Sequence, residues 1–214
     1  MIKAIIFDFD GVIVESVDIK TNAFGKIFEH EGVDVAKKVV EYHLKNTGIS
    51  RYEKFRYIYK EILKRPLNDK EFQILCSKFA SLVVDGVIMA PYVKGAIEFL
   101  KSYASEYKCF VVSATPLEEL EDILRKRDID QFFQAVYGAP VNKSEAVKKT
   151  LLKKAIESHE TVYVGDAMSD FFAAKENLVT FIARINNNES IFANMECLKI
   201  NDLTKLVDII KDIQ

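Results

Sequence analysis

Two aspartates near the amino terminus have the residue type and spacing of a metal-binding and acid–base pair. Asp8 and Asp10 follow the apolar, β-branched run 2–7, and Gly11 comes directly after them. The run predicts a buried strand, and carboxylates at its end lie where open α/β sheets bind ligands. Residues two apart in an extended chain share a side, so these carboxylates repel each other unless a cation such as Mg²⁺ joins them. A simple Asp-Gly turn is the alternative.

A second pair of carboxylates follows another apolar strand, predicted over 161–165. Asp166 and Asp170 are four residues apart, so one helical turn places them on the same side. Carboxylates at the ends of two neighbouring strands suit Mg²⁺, which prefers oxygen ligands. Asp170 could instead cap the helix that follows.

Two further segments could bind an anion. Ser113 and Ala114 precede Thr115-Pro116 at a predicted helix start, and the N–H groups of a helix start bind anions. Lys143 also precedes a helix, and it would neutralise a phosphate bound nearby. Each signal alone is weak, because Ser or Thr before Pro is a common helix start and a lone Lys is usually solvated.

The elements that must position these residues alternate between strand and helix. This order predicts an α/β fold with a doubly wound, Rossmann-like parallel sheet covered by helices on both faces. We predict strands over 2–7, 108–113, 135–137, 161–165 and 179–183, and helices over 93–103, 117–127, 144–158, 169–176 and 203–213.

One region breaks the alternation. Four amphipathic patterns, over 18–31, 34–46, 51–63 and 69–85, contain no convincing strand. We therefore predict a helical cap over 17–87, inserted into an α/β core of 1–16 and 88–214. The two closely spaced connections to the core would form a hinge, and the cap could act as a lid. Alternatively, the four helices could pack rigidly against the sheet.

Composition narrows the class of protein. The 214 residues are 49% hydrophobic, and 30 Lys and Arg against 32 Asp and Glu give a net charge of -2. No basic field favours nucleic acid or an anionic membrane as a partner. Three cysteines without a C-x-x-C pair indicate reduced thiols. With no leader pattern and no apolar segment judged long enough to span a bilayer, we expect a cytoplasmic protein, monomeric or dimeric.

Taken in order, the four motifs resemble those of the haloacid dehalogenase superfamily of phosphohydrolases. Asp-x-Asp-Gly comes first, then Ser-Ala-Thr, then an isolated Lys, and Gly-Asp-x-x-x-Asp last. The resemblance covers the whole chain. It is strongest to the phosphoglycolate phosphatase and β-phosphoglucomutase group, whose members carry a small helical cap after the first motif. It implies a Mg²⁺-dependent phosphatase acting on a small phosphorylated metabolite, such as a sugar phosphate.

The resemblance also implies roles for the acidic residues. Asp8 would be the nucleophile that forms an aspartyl-phosphate, and Asp10 the general acid and then the base that activates water. Asp8, Asp166 and the backbone carbonyl of Asp10 would bind Mg²⁺, with Asp170 in support. This chemistry needs Asp10 protonated while Asp8 is ionised, and metal coordination of Asp8 favours that difference.

The resemblance assigns the phosphoryl oxygens to Ser113, the Ala114 N–H and Lys143. A phosphate monoester dianion repels an anionic nucleophile, and positive charge offsets that repulsion. The covalent intermediate divides hydrolysis into two easier steps.

Two other functions stay open. A sugar phosphomutase is the first, since Gly48-Ile49-Ser50-Arg51 matches the mutase cap loop, and Arg51 could bind a second phosphate. However, mutases carry a His where this chain has Lys20. The second is a non-catalytic family fold retained for binding or regulation, which the complete acidic set argues against.

The cap should set substrate specificity. Lys20 and Arg51 are the first candidates, followed by Asn22, Lys54 and Arg56. The three histidines lack metal-ligand spacing and receive no role. We expect a surface loop at Arg184 and the three asparagines at 186–188.

Overall fold

Six parallel strands form a single sheet in the computed structural model, which describes residues 1–185, 191–192 and 194–213. The strand order is β3-β2-β1-β4-β5-β6, so β1 lies in the middle between β2 and β4. The strands are β1 (Ala4–Phe7), β2 (Lys108–Pro116), β3 (Ala135–Ala139), β4 (Thr161–Gly165), β5 (Thr180–Arg184) and β6 (Leu198–Ile200).

The prediction of an α/β fold with a parallel sheet is confirmed, and it missed one strand. Strand β6 has only three residues, of which Leu198 and Lys199 are exposed. It therefore lacks the apolar run by which the other five were found. Arg184 was expected in a surface loop, whereas it is the buried last residue of β5. The asparagines at 186–188 lie outside the described residues.

Helices cover both faces of the sheet, as a doubly wound fold requires. Alternate strand residues point to opposite faces: Ile5 and Phe7 belong to one hydrophobic core, and Ala4 and Ile6 to the other. The first core includes buried residues of α5 (Ala96–Tyr103), α6 (Leu117–Lys126) and α9 (Leu206–Asp212), and the second includes those of α7 (Lys143–Lys154) and α8 (Met168–Glu176).

Four helices follow β1 and form the inserted cap. They are α1 (Val17–Phe28), α2 (Val33–Lys45), α3 (Arg51–Tyr57), which continues as a π-helical turn (Ile58–Ile62), and α4 (Asp69–Met89). The ring of Phe24 lies 5.6 Å from that of Phe55 and 4.6 Å from that of Phe79. This aromatic cluster joins α1, α3 and α4 in the interior of the cap.

Helix α4 corrects one expectation from the sequence. Its 21 residues include a window of mean hydropathy 1.6, so by length and composition it is sufficient to cross a membrane. Two charged residues within that window concealed it from a search for unbroken apolar runs. Leu75, Phe79, Val83 and Val87 form a buried stripe along the helix, as in helices packed inside a folded domain.

Two adjacent chain segments connect the cap to the sheet core. The N–H of Glu15 donates to the carbonyl of Pro91 at 2.9 Å, and that of Val93 donates to Ile13 at 3.0 Å. Arg127, just after α6, donates to the carbonyls of Val87, Ile88 and Ala90 at 2.6–2.9 Å. This arginine anchors the end of α4 to the core. Helix α4 extends to Met89, and a division of the chain at 16/17 and 87/88 stays a prediction.

Candidate active site

The candidate site lies at the carboxyl ends of the three central strands. Phe7 of β1 is in register with Val111 of β2 and Val164 of β4. The residues that follow these positions therefore emerge at one edge of the sheet. Asp8, Ser113 and Asp166 all line the same cavity there, although they are far apart in sequence.

A buried lysine joins two of the predicted aspartates. The ammonium of Lys143 lies 2.9 Å from Asp8 Oδ2 and 2.7 Å from Asp170 Oδ1. The Tyr163 hydroxyl also donates to Asp170 Oδ1, at 2.7 Å, and the N–H of Ala167 donates to Oδ2 at 3.0 Å. Asp170 therefore both positions Lys143 and caps the start of α8, so the capping alternative is also realised.

Three carboxylates crowd together beside this lysine. One oxygen from each of Asp8, Asp166 and Asp170 lies within 4.8 Å of the others. Burial and the Asp170 carboxylate raise the pKa of Asp8 to about 7, against the opposing effect of Lys143. Desolvation and the Asp8 carboxylate raise the pKa of Asp166 well above its usual range. Crowded oxygen donors with this excess of negative charge fit a divalent cation such as Mg²⁺.

Asp10 has a different environment from Asp8. Its Oδ1 accepts a 2.6 Å hydrogen bond from Ser16, and its Oδ2 accepts a 3.0 Å hydrogen bond from Thr115 and forms an ion pair with Lys20. Desolvation would raise the pKa of Asp10, but the Lys20 ammonium and these hydrogen bonds outweigh it and lower the pKa. The pKa values of the two neighbouring aspartates are therefore shifted in opposite directions, that of Asp8 upward and that of Asp10 downward.

The phosphate-binding candidates line the same cavity. Ser113 is buried, and its Oγ accepts a hydrogen bond from the Thr115 N–H at 3.1 Å. Ala114 lines the cavity beside it, and Lys143 faces it from the start of α7. The structure thus brings together all the core residues that the sequence singled out.

The cap is closed over the site. Lys20 reaches from α1 to Asp10 and Thr115 in the core, where its ammonium lies 2.8 Å from Thr115 Oγ1. The buried Arg51 forms an ion pair with Glu119 of α6. The Ser169 hydroxyl donates to the carbonyl of Gly48 at 3.0 Å. The cavity that these contacts enclose is only about 40 Å³.

The other cap candidates divide into two groups. Lys54 is buried and lines the cavity. Asn22 and Arg56 are exposed, and Arg56 packs over the ring of Phe72 on the outside of the cap. His43, which received no role from the sequence, is buried against the same cavity. Its position depends on tertiary packing, and no spacing motif could have revealed it.

Sequence reasoning missed three supporting residues. Ser16 and Tyr163 hold the carboxylates of Asp10 and Asp170. Arg184 donates to Glu15 at 2.6 Å and to the carbonyl of Gly11 at 3.2 Å, which fixes the turn after Asp10. A polar residue inside an otherwise apolar strand was the one available signal for Tyr163 and Arg184.

Several solved structures resemble this fold over nearly the whole chain. β-Phosphoglucomutase from Clostridium difficile is 20% identical, covers 100% of this chain and 97% of its own, and has a TM-score of 0.81. A predicted phosphoglycolate phosphatase from Haemophilus somnus is 18% identical over 97% of each chain, with a TM-score of 0.75. A HAD-hydrolase from Bacillus subtilis bound to magnesium is 14% identical over 98% of this chain and 99% of its own, with a TM-score of 0.73.

These structural similarities confirm the fold, and a family model identifies the family. No curated protein matches the chain. The family model described as haloacid dehalogenase-like hydrolase matches residues 5–184, which include all four motifs. The resemblance inferred from the motifs is confirmed, and the chain belongs to the haloacid dehalogenase-like hydrolase family.

Proposed function

We propose that this protein is a cytoplasmic, Mg²⁺-dependent phosphatase of a small phosphorylated metabolite, acting through an aspartyl-phosphate on Asp8. The observation that carries the proposal is the arrangement of Asp8. Its carboxylate is held between Lys143 and a cluster of carboxylates suited to a metal, with a second aspartate, Asp10, beside it. The free state of Cys76, Cys109 and Cys197 supports a reducing compartment.

Asp8 and Asp166 would hold the metal with the backbone carbonyl of Asp10, supported by Asp170. The bound Mg²⁺ would polarise the phosphoryl group and favour the ionised form of Asp8. The fixed polar contacts of the site already orient its groups. The N–H of Phe9 donates to Asp8 Oδ1 at 2.7 Å, and the other carboxylate oxygen, Oδ2, accepts from Lys143.

Asp8 would attack phosphorus and form the acyl phosphate, and the leaving alkoxide would take a proton from Asp10. Lys143, Ser113 and the N–H of Ala114 would bind the phosphoryl oxygens as charge accumulates on them. In the second step, Asp10 would accept a proton from the water that attacks the intermediate. A positioned acid–base group typically contributes about 10²–10⁴-fold to the rate.

Lys20 must release Asp10 before Asp10 can act as an acid. Its ion pair with Asp10 stabilises the ionised carboxylate, whereas the leaving group needs the proton. The same contact links cap and core, so opening of the cap would separate the pair. The cavity of about 40 Å³ between cap and core leaves little room for a phosphate ester, so the cap would open to admit one.

A sugar phosphomutase is the second candidate, and the closed cap favours it because a mutase must exclude water from its intermediate. Two observations weigh against it. The chain has Lys20 where the mutases carry His, and Arg51 is already paired with Glu119.

The deciding experiment measures phosphate release from a panel of phosphorylated metabolites, with Mg²⁺ and with EDTA, for the wild type and Asp8→Asn. Metal-dependent release that the variant loses would support the phosphatase. Sugar-phosphate isomerisation without net release would favour the mutase instead. Absence of Mg²⁺ binding would point to a non-catalytic family fold.

A further inference from the structure

The cap side of the cavity carries three cationic side chains, and one of them lacks a counter-ion. Lys20 is paired with Asp10, and Arg51 with Glu119. Lys54 differs, because no carboxylate among the described residues lies within 4.0 Å of its ammonium. The positive charge of Lys54 is therefore not compensated by any contact with a carboxylate in the described part of the chain.

The groups in direct contact with the Lys54 ammonium are neutral, and the carboxylates of Asp10 and Glu53 attract it only from beyond 4.0 Å. The side chain is 2% exposed, and its ammonium lies 2.9 Å from His43 Nδ1 and 3.3 Å from the carbonyl of Thr47. The ring of Phe24 lies on another side, with its centroid at 5.3 Å. These groups orient the ammonium, yet none of them carries a negative charge.

His43 adds a second unused donor. Burial and the nearby Lys54 lower the pKa of His43 to about 3, so its ring is neutral near pH 7. When Lys54 is protonated its ammonium can only donate, so His43 Nδ1 then accepts and Nε2 carries the ring proton. Nε2 is buried and has no hydrogen-bond partner in the described part of the chain. Lys54 and His43 together thus offer hydrogen-bond donors that their own surroundings leave unsatisfied.

Such an arrangement is costly in the empty protein. Burial lowers the pKa of Lys54, and repulsion from Lys20 and Lys143 lowers it further. An ammonium taken out of water without an anion is destabilising, whereas an apolar side chain at this position would pack in the cap without that penalty. The cost is recovered if the ligand supplies the negative charge.

We propose that Lys54, oriented by His43, binds a second anionic group of the substrate, a carboxylate or a second phosphate, at the end opposite the phosphoryl group. The inference rests on the proposed function, because the phosphoryl group is taken to occupy the site beside Asp8. It narrows the substrate from phosphate monoesters in general to those with an acidic tail.

Unreactive phosphonates test this in the Mg²⁺-loaded protein by isothermal titration calorimetry. Propylphosphonate has a neutral tail, 3-phosphonopropionate ends in a carboxylate, and propane-1,3-diphosphonate ends in a second phosphonate. We expect one or both acidic-tail probes to bind wild type about 10-fold or more tightly than propylphosphonate, as a charged hydrogen bond allows. The probe that gains more affinity over propylphosphonate identifies the second anionic group of the substrate as a carboxylate or a phosphate. Equal affinity for all three probes overturns the inference.

Substitutions assign the effect to the residue. Lys54→Met should reduce the affinity ratio of acidic to neutral probe to about one. Lys60→Met removes an exposed cap lysine and should leave the ratio as in wild type. If Lys54→Met does not fold, His43→Phe should lower the ratio by removing the Nε2 donor. An unchanged ratio in whichever of these variants folds would overturn the assignment.

The controls separate this inference from the proposed function. Mg²⁺-dependent binding of propylphosphonate, together with hydrolysis of p-nitrophenyl phosphate that Asp8→Asn abolishes, supports the phosphatase by itself. If both are seen and the acidic tails give no advantage, only the role of Lys54 is wrong. If neither is seen, the proposed function fails, and the second-anion inference fails with it.

Discussion

The ammonium of Lys20 pairs with the carboxylate of Asp10 across the boundary between cap and sheet core. Both side chains are only 15% exposed, so loss of either partner leaves a mostly desolvated charge. The pair therefore couples the protonation of Asp10 to the closed position of the cap.

A double-mutant cycle tests this coupling. Asp10→Asn should lower the free energy of unfolding by about 1–3 kcal/mol, because Lys20 loses its partner. Adding Lys20→Met should restore part of that stability, while the loss of activity from Asp10→Asn persists. Urea unfolding measures the first effect and phosphate release the second. A double variant whose loss of stability equals the sum of the losses in Asp10→Asn and Lys20→Met alone would show that the two residues are not coupled.

Asp8→Asn should abolish turnover without unfolding the protein. The substitution removes the proposed nucleophile and retains the shape of a buried side chain. Phosphate release and circular dichroism measure the two outcomes. Glu121→Gln removes an exposed carboxylate on α6 and should keep full activity. Near wild-type turnover in Asp8→Asn would falsify the mechanism.

The stability of the metal-free protein should depend on pH through Asp8. Its pKa is about 7 in the folded state against an ordinary value of 3.8, so the folded state holds a proton that the unfolded chain releases. The contribution of Asp8 to stability therefore falls as pH rises from about 4 to about 7, and then levels off.

Asp8→Asn isolates this contribution in EDTA. Between pH 5 and pH 8 the variant should become more stable relative to wild type, by on the order of 1–4 kcal/mol. Mg²⁺ should stabilise wild type more at pH 8 than at pH 5, since it binds the ionised carboxylates. A difference between variant and wild type that does not change with pH would contradict the raised pKa.

Gly11 and Gly32 offer a test of the proposed metal site and its matched control. Both have positive φ, 78° and 101°. A side chain at Gly11 would collide with the Asp166 carboxylate, whereas nothing lies within 4 Å of one at Gly32. Each Ala substitution should cost on the order of 1–3 kcal/mol in backbone strain. Only Gly11→Ala should weaken Mg²⁺ binding, about 10-fold or more by calorimetry. Equal Mg²⁺ affinities in the two variants would exclude Asp166 as a ligand.

The ion pair of Arg51 with Glu119 should hold the cap closed. Glu119→Gln leaves the buried arginine without its partner, so the open state gains population. Amide hydrogen exchange over 46–50 should become several-fold faster. Glu118→Gln, which changes the exposed neighbour, should have no effect. Equal exchange in the two variants would mean that other contacts keep the cap in place.

Much of the fold and of the catalytic centre could be predicted because both depend on local sequence signals. Apolar runs located five strands, and four of them are followed by the polar residues that the sheet edge assembles around Asp8. The positions of Lys20 and Lys54 could not be predicted in this way. Their contacts depend on how α1 and α3 tilt over the sheet, and amphipathic patterns do not determine such angles. The same limit applies to His43, whose side chain contacts Phe24 of α1 and Lys54 of α3.

The position of β2 and α6 between the site and the cap limits which properties of this protein a substitution can change separately. Residues 113–127 contain Ser113 and Thr115 at the site, Glu119 at the contact that closes the cap, and Arg127 at the anchor of α4. The end of β2 and the helix α6 that follows it thus connect the chemical centre with two of the contacts between cap and core. A substitution that tilts α6 would alter catalysis and access together. Along this strand–helix segment, selection cannot adjust turnover and substrate admission as independent traits.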